Sequence, residues 1–211
     1  MKKLFIFDVD GVLLETKTGG FQDILFLLGK EKEAREIQAE YEKRRHLGPW
    51  GLEETAALYE GESREELKEL AKVYVGEHLA SGAEKAAQKL KAAGYEMAAI
   101  SAGPKFILDE LKEILGLDEV FGTELEFKDG VATGKLERKI DRFGKKEILE
   151  ELIKERGLSK EKVVAIGDSI TDLPLAELAG KFIAYQPRDE EVKERADEVI
   201  NNFEELRVPN E

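Results

Sequence analysis

The chain has 211 residues, of which 42% are hydrophobic and 37% charged, a balance typical of a folded domain. The net charge of -13 argues against nucleic acid as a partner, because a polyanion would be repelled. Cysteine is absent, which excludes disulfides and thiolate chemistry, and the apolar runs are too short for a signal peptide or a membrane span, so we expect a cytoplasmic protein.

The first predicted element is a short buried strand, Leu4–Phe7, which ends at Asp8. The segment that follows, residues 16–79, shows several amphipathic helical patterns and no convincing strand. Strands and helices then alternate along the rest of the chain, which predicts a parallel sheet with helices on both faces. The expected fold is therefore α/β, with a Rossmann-like core of residues 1–15 and 80–211 and an inserted all-helical cap.

Polar residues follow three of the predicted strands, which are Leu4–Phe7, Tyr95–Ile100 and Val163–Ile166. Between the last two strands, the pair Asp129-Gly130 predicts the turn of a β-hairpin over residues 123–136. Ligands of an open parallel sheet bind beyond the carboxyl ends of its strands, so we expect the polar residues to share one site. In chain order these residues are Asp8, Asp10, Ser101, Gly103, Asp168 and Asp172.

Four carboxylates at one sheet edge would repel one another unless a cation lay among them. Hard oxygen ligands suit Mg²⁺, which also shares its coordination shell with phosphate and water. Lys145 lies near the centre of an apolar stripe on a helix predicted for residues 144–156, and a buried ammonium group needs an anionic partner. The residues therefore predict a magnesium site with a lysine beside it.

These residues resemble, in order and type, the signature motifs of the haloacid dehalogenase superfamily, phosphatase branch. Asp8-Val9-Asp10-Gly11 is similar to the first motif, Ser101 to the second, Lys145 to the third, and Gly167-Asp168 with Asp172 to the fourth. The helical segment after the first motif resembles the cap that is inserted there in this superfamily. Within the superfamily, the pattern is most similar to that of phosphoserine phosphatases.

The resemblance implies hydrolysis of a small phosphorylated metabolite with Mg²⁺ as cofactor. Asp8 is the implied nucleophile, which forms an aspartyl-phosphate, and Asp10 is the implied acid and then base. The implied phosphate ligands are Ser101, the amide of Gly103 and Lys145. The implied metal ligands are Asp8, the backbone carbonyl of Asp10, Asp168, and Asp172, the last binding through water or instead orienting Lys145.

Two positions depart from the phosphoserine phosphatase pattern. Lys17 stands nine residues after the nucleophile, where those enzymes carry an acidic residue for the substrate ammonium group. Residues 53–58 contain no arginine for the substrate carboxylate. The substrate therefore stays open among phosphoserine, phosphoglycolate, sugar phosphates and nucleoside monophosphates.

The predicted cap carries a basic run, Lys43 with Arg44 and Arg45, interpreted as a solvated face or as a substrate contact. Trp50 either belongs to the cap core or faces the substrate. Two other functions remain open, a phosphomutase of the same superfamily and a non-catalytic interaction protein on the same fold. We expect a monomer or a homodimer.

Overall fold

The computed structural model describes residues 3–208, which form a seven-stranded sheet with helices packed around it. The strands are β1 (Lys3–Phe7), β2 (Tyr95–Pro104), β3 (Glu119–Lys128), β4 (Val131–Arg138), β5 (Val163–Gly167), β6 (Lys181–Tyr185) and β7 (Glu198–Ile200). The helices are α1 (Gly20–Leu27), α2 (Glu31–Arg44), α3 (Leu52–Ala57), α4 (Arg64–His78), α5 (Ala83–Ala92), α6 (Lys105–Leu115), α7 (Arg142–Arg156), α8 (Leu173–Leu178) and α9 (Glu190–Arg195), with a 3₁₀ turn at Lys160–Lys162.

The strand order is β4-β3-β2-β1-β5-β6-β7, and every neighbouring pair is parallel except β3 with β4. The central strand β1 is buried on both faces, because successive side chains of a strand point to opposite sides. Leu4 and Ile6 belong to one apolar cluster, and Phe5 and Phe7 belong to the other. The predicted α/β fold with a largely parallel sheet is confirmed.

One strand is longer than predicted, and two elements near the end of the chain were not predicted. The second strand continues past Ile100 to Pro104, with an irregular pairing to β3 over that stretch. The last helix and strand, α9 and β7, were not predicted, because β7 has three residues and presents too short a pattern to detect. The predicted hairpin is confirmed, and its turn residues Asp129 and Gly130 have φ of 51° and 82°, as a tight hairpin turn requires.

The four helices α1–α4 lie between β1 and α5 in the chain, within the segment predicted as a helical insertion. The chain leaves and rejoins the core at one place. There the amide of Glu15 donates to the carbonyl of His78 (2.7 Å), and the amide of Ala80 donates to the carbonyl of Leu13 (2.9 Å). Helix α4 packs against α6 of the core. Within residues 3–208, none of the helices combines the length and hydropathy needed to cross a membrane.

Candidate active site

The three central strands bring the predicted site residues to one edge of the sheet. Asp8 follows β1, Ser101 lies near the end of β2, and Asp168 follows β5, and these strands are neighbours in the order β2-β1-β5. All three side chains are buried, with exposures of 4%, 2% and 3%. The strand geometry therefore gathers two carboxylates and a hydroxyl in a region that water barely reaches.

Asp8, Asp168 and Asp172 form a compact acidic cluster, in which one oxygen of each lies within 4.8 Å of the others. Burial, together with the neighbouring charge of Asp172, raises the pKa of Asp8 to about 7 and that of Asp168 to about 8. A bound cation would favour the ionised forms and reverse these shifts. The cluster offers hard oxygen donors only, a set that fits a hard divalent ion such as Mg²⁺.

Two glycines leave the space that the carboxylates of the acidic cluster occupy. A Cβ atom at Gly11 would lie 2.4 Å from Oδ2 of Asp168, and one at Gly167 would lie 2.5 Å from Cβ of Asp172. Gly11 also has a φ of 86°, which residues with a side chain rarely adopt. The glycines of the first and fourth motifs are thus required by space beside the carboxylates.

Lys145 links the cluster to helix α7. Its Nζ donates to Oδ1 of Asp8 and to Oδ1 of Asp172, each at 2.7 Å. Burial would lower the pKa of Lys145, but the charges of Asp172 and Asp8 outweigh it and raise the pKa, so the ammonium form persists. Asp141 sets the helix start, because its Oδ1 accepts from the amides of Phe143 (2.9 Å) and Gly144 (3.1 Å).

Asp172 thus has two functions in the site. Its Oδ1 binds Lys145, and its Oδ2 accepts from the amides of Asp168 and Ser169, both at 3.2 Å. These bonds fix the loop after β5, which carries Asp168. Of the two alternatives for Asp172, the geometry shows the contact that orients Lys145, while a ligand role through water stays a prediction.

Asp10 is not one of the three carboxylates of the acidic cluster; it lines a cavity that Lys145 also borders. Its Oδ1 accepts from the amide of Gly20 at 2.8 Å, at the start of α1. Burial raises the pKa of Asp10 to about 6, although the Gly20 hydrogen bond opposes the shift. Asp10 is therefore placed to exchange protons near neutral pH.

Ser101 and Gly103 lie next to each other at the end of β2. In this structure the amide of Gly103 donates to Oγ of Ser101 at 2.9 Å. Gly103 lines the same cavity as Asp10 and Lys145. The contact of Ser101 and Gly103 with a phosphate stays a prediction.

Three contributors to the site were missed by the sequence reasoning. They are the amide of Gly20, and Arg188 and Asp189 in the loop after β6. The amide of Arg188 donates to the carbonyl of Asp168 (2.8 Å), and its Nε lies 3.9 Å from Oδ2 of Asp168. Asp189 accepts from the amide of Ile170 at 3.1 Å. The only signal in the sequence was that an acidic residue precedes α9, a pattern common at helix starts.

The basic run of α2 divides in the structure. Lys43 and Arg44 are exposed and pair with Glu40, whereas Arg45 has an exposure of 8% and pairs with Asp189 of the core at 2.5 Å. The interpretation as a solvated face is therefore wrong for Arg45.

The other residues of uncertain role also have defined places. Arg44 lies over the ring of Trp50, 5.2 Å from its centroid, and Trp50 lines the cavity. Lys17 is exposed and lies outside that cavity.

Comparison with known proteins places this site in a family. The model of the haloacid dehalogenase-like hydrolases matches residues 5–177. Phosphoserine phosphatase from Archaeoglobus fulgidus is 37% identical over 95% of this chain, which spans 57% of that relative's length. Phosphoserine phosphatase from Methanocaldococcus jannaschii is 32% identical, with 93% of this chain and 90% of the relative covered.

A solved structure of phosphoserine phosphatase, a phospho-aspartyl intermediate analogue, superposes with a TM-score of 0.80 at 32% identity, covering 95% of this chain and 94% of that one. The chain belongs to the haloacid dehalogenase-like hydrolase family. It is a phosphatase of that family, so the resemblance and the enzyme class expected from the sequence are both confirmed.

Proposed function

We propose that the protein hydrolyses a small phosphomonoester with Mg²⁺ through an aspartyl-phosphate on Asp8. The observation that carries the proposal is the contact of Lys145 with Asp8 and Asp172 inside the acidic cluster. This arrangement holds a nucleophilic carboxylate, a fixed cation and metal ligands within one buried site. The phosphoserine phosphatase solved as a phospho-aspartyl intermediate analogue supports the same chemistry by similarity.

The ligands proposed for Mg²⁺ are Asp8, the backbone carbonyl of Asp10 and Asp168, with Asp172 nearby. When bound, the ion would withdraw charge from the phosphoryl oxygens and keep the cluster ionised. The donor set fits this ion because three buried carboxylates offer oxygen atoms within 4.8 Å of one another. Lys145 contacts two of these carboxylates and supplies one positive charge to the three negative ones.

Asp8 acts as the nucleophile in this proposal. Lys145 holds its Oδ1, which orients the carboxylate and leaves Oδ2 for attack on phosphorus. A bond forms between Asp8 and phosphorus as the bond from phosphorus to the leaving oxygen breaks. Burial and the charge of Asp172 raise the pKa of Asp8, and the charge of Lys145 opposes this rise.

Asp10 handles the protons of both steps. In its acid form it gives a proton to the leaving alcohol, and in its base form it takes one from the water that hydrolyses the aspartyl-phosphate. A pKa raised to about 6 by burial suits both tasks near neutral pH. Ser101, the amide of Gly103 and Lys145 bind the phosphoryl oxygens, and residues 16–79 serve as a cap that excludes water.

The test is the hydrolysis of p-nitrophenyl phosphate with Mg²⁺, with EDTA, and by Asp8→Asn. We expect EDTA and the substitution each to reduce turnover by about a thousandfold or more. Asp109→Asn is the matched control, because Asp109 is exposed and, among residues 3–208, pairs only with Lys105 on α6, so this variant should keep full activity. Turnover that survives in a folded Asp8→Asn variant would refute the mechanism, and mass spectrometry of acid-quenched enzyme checks for phosphate on Asp8.

A further inference from the structure

A cavity lies between the inserted helices and the sheet edge, where a leaving alcohol would sit. Its volume is about 140 Å³, and Asp10, Gly103 and Lys145 line its core side. Asp10 is the acid proposed for the leaving oxygen, so the group attached to that oxygen must extend into this cavity. The cavity wall therefore selects the substrate.

The wall contributed by the inserted helices is uncharged. Of the residues between 16 and 79 that line the cavity, none is an aspartate, glutamate, lysine or arginine. Phe21, Ile37, Tyr41, Trp50 and Leu52 give it an aromatic and aliphatic surface. Such a surface favours apolar or aromatic groups and penalises an unpaired charge.

Neutral hydrogen-bonding groups complete this wall. The side-chain amide of Gln22 and the hydroxyl of Tyr41 both border the cavity, and neither has a hydrogen-bond partner within residues 3–208. Burial raises the pKa of Tyr41, so its hydroxyl stays neutral and can donate to a ligand. These groups suit hydroxyls or ring heteroatoms of an uncharged ligand.

The acidic residue of the insertion whose charge reaches Asp10 is already engaged. Asp23 on α1 accepts from the hydroxyls of Thr16, Thr18 and Tyr74, so its carboxylate is committed within the insertion. Lys17 is exposed, away from the cavity. An amino-acid substrate would therefore bring an ammonium group to a wall with no charge to receive it.

The core side adds one pair of opposite charges besides the catalytic ones. Asp141 and Arg142 both line the cavity. Asp141 caps α7 through Oδ1, and Nη2 of Arg142 donates to the carbonyl of Arg45. Both side chains thus have structural partners, and their charges offset each other at the cavity.

We propose that the leaving group of the substrate is an uncharged alcohol with an apolar or aromatic face, not an amino acid. This inference rests on the proposed function, because it assigns the wall of the same site. Trp50 is the main specificity residue, with its ring under Arg44 and exposed to the cavity. Aryl alcohols and sugars share this chemistry, since both place a flat or apolar face on an aromatic ring.

The test compares kcat/KM for phenyl phosphate, glucose 6-phosphate, phosphoserine and 3-phosphoglycerate at one Mg²⁺ concentration. We expect at least one of the two neutral substrates to exceed phosphoserine by about a hundredfold, and the preferred one tells an aryl from a sugar leaving group. A preference for phosphoserine would overturn this inference and leave the proposed function intact. A preference for 3-phosphoglycerate that Arg142→Ala removes would also overturn it, since Arg142 would then bind a substrate carboxylate.

Variants check the wall directly. Trp50→Ala should lower kcat/KM for the preferred neutral substrate by about tenfold and leave that for acetyl phosphate, which has a small leaving group, within about twofold. Ile37→Ala is a second variant at the same wall, and Val73→Ala, at an exposed position of α4, is the control. Equal activity of all three variants on the neutral substrate would overturn the inference. Hydrolysis of no substrate by the folded wild type would overturn the proposed function, and the inference with it.

Discussion

The ammonium group of Lys145 lies 2.7 Å from Oδ1 of Asp172, although 27 residues separate them, and neither side chain is more than 3% exposed. The same ammonium contacts the proposed nucleophile Asp8. A buried cation held by two carboxylates is tolerated because each charge has a partner. Removing one partner therefore has consequences for both folding and chemistry.

Asp172→Asn tests this relationship. The variant leaves Lys145 with one anionic partner, so we expect the free energy of unfolding to fall by about 3 kcal/mol and turnover to fall about a hundredfold. Urea denaturation and steady-state kinetics measure the two effects. The loop after β5 stays in place if the side-chain oxygen of the new asparagine still accepts from the amides of Asp168 and Ser169. A structure of the variant shows whether it does, and so tells the effect of the lost charge from the effect of a disordered loop. Stability equal to wild type would contradict the argument.

The acidic cluster predicts an unusual pH dependence of stability without metal. The pKa of Asp8 rises to about 7 and that of Asp168 to about 8 from an ordinary value of 3.8, so their protonated forms favour the folded state. This contribution is complete below pH 3.8 and is lost as pH rises through 7 and 8. In EDTA, the Tm measured by calorimetry should fall across that upper range, and Mg²⁺ should restore it.

Asp168→Asn is the control for the pH dependence. The variant removes one of the titrating carboxylates, so its Tm in EDTA should change less between neutral and alkaline pH than that of the wild type. Its Tm should also respond less to Mg²⁺, because the variant lacks one of the proposed metal ligands. A wild-type Tm in EDTA that is constant or rises over the same range would be inconsistent with the clustered charges.

Gly103→Ala should impair catalysis by steric conflict. A Cβ atom at this position would lie 2.9 Å from Oδ2 of Asp10 and 3.2 Å from Oγ of Ser101, so both groups must move. We expect kcat to fall at least about tenfold, measured at saturating substrate. Gly76→Ala is the matched control, because a Cβ atom at that position on α4 would have no atom of residues 3–208 within 4 Å apart from its own stretch of helix. This variant should stabilise the helix by up to about 1 kcal/mol with unchanged kcat.

Arg45→Ala should loosen the contact between the inserted helices and the core. Arg45 is buried and pairs with Asp189, which also accepts from the amide of Ile170 in the loop between Asp168 and Asp172. We expect a loss of about 2 kcal/mol in unfolding free energy, and a severalfold rise in the Mg²⁺ concentration that gives half-maximal activity.

The exposed pair of Lys72 with Glu69 provides the control for Arg45. Lys72→Ala should change stability by less than about 0.5 kcal/mol and leave the Mg²⁺ requirement unchanged. A Mg²⁺ requirement that is the same in Arg45→Ala and wild type would show that the ion pair does not reach the loop.

The site could be predicted from the sequence where local patterns define it. Asp8 and Asp168 follow short apolar strands, and Lys145 lies on an apolar helical stripe, so strand ends and helical periodicity place all three. The pairing of Arg45 with Asp189 could not be predicted, because it joins residues 144 positions apart on elements whose packing no local pattern encodes.

The bond from the amide of Gly20 to Asp10 was missed for a related reason. Backbone donors carry no residue signature, and this one acts only because α1 begins beside the first motif. The extension of β2 to Pro104 was missed because its last residues, Ser101 to Pro104, resemble a loop in composition. In both cases tertiary contacts decide a structure that the local sequence leaves open.

The two chain crossings at Glu15–His78 and Leu13–Ala80 lie side by side. The inserted helices thus form a module whose two chain ends meet the core at one junction, and the module also contacts the core where α4 packs against α6 and where Arg45 pairs with Asp189. Every residue proposed for phosphoryl transfer lies outside the module, while the uncharged cavity wall lies within it. The residues proposed for selectivity and those proposed for reactivity thus lie in separate stretches of the gene, so we expect replacement of the first stretch to change the substrate without rebuilding the second.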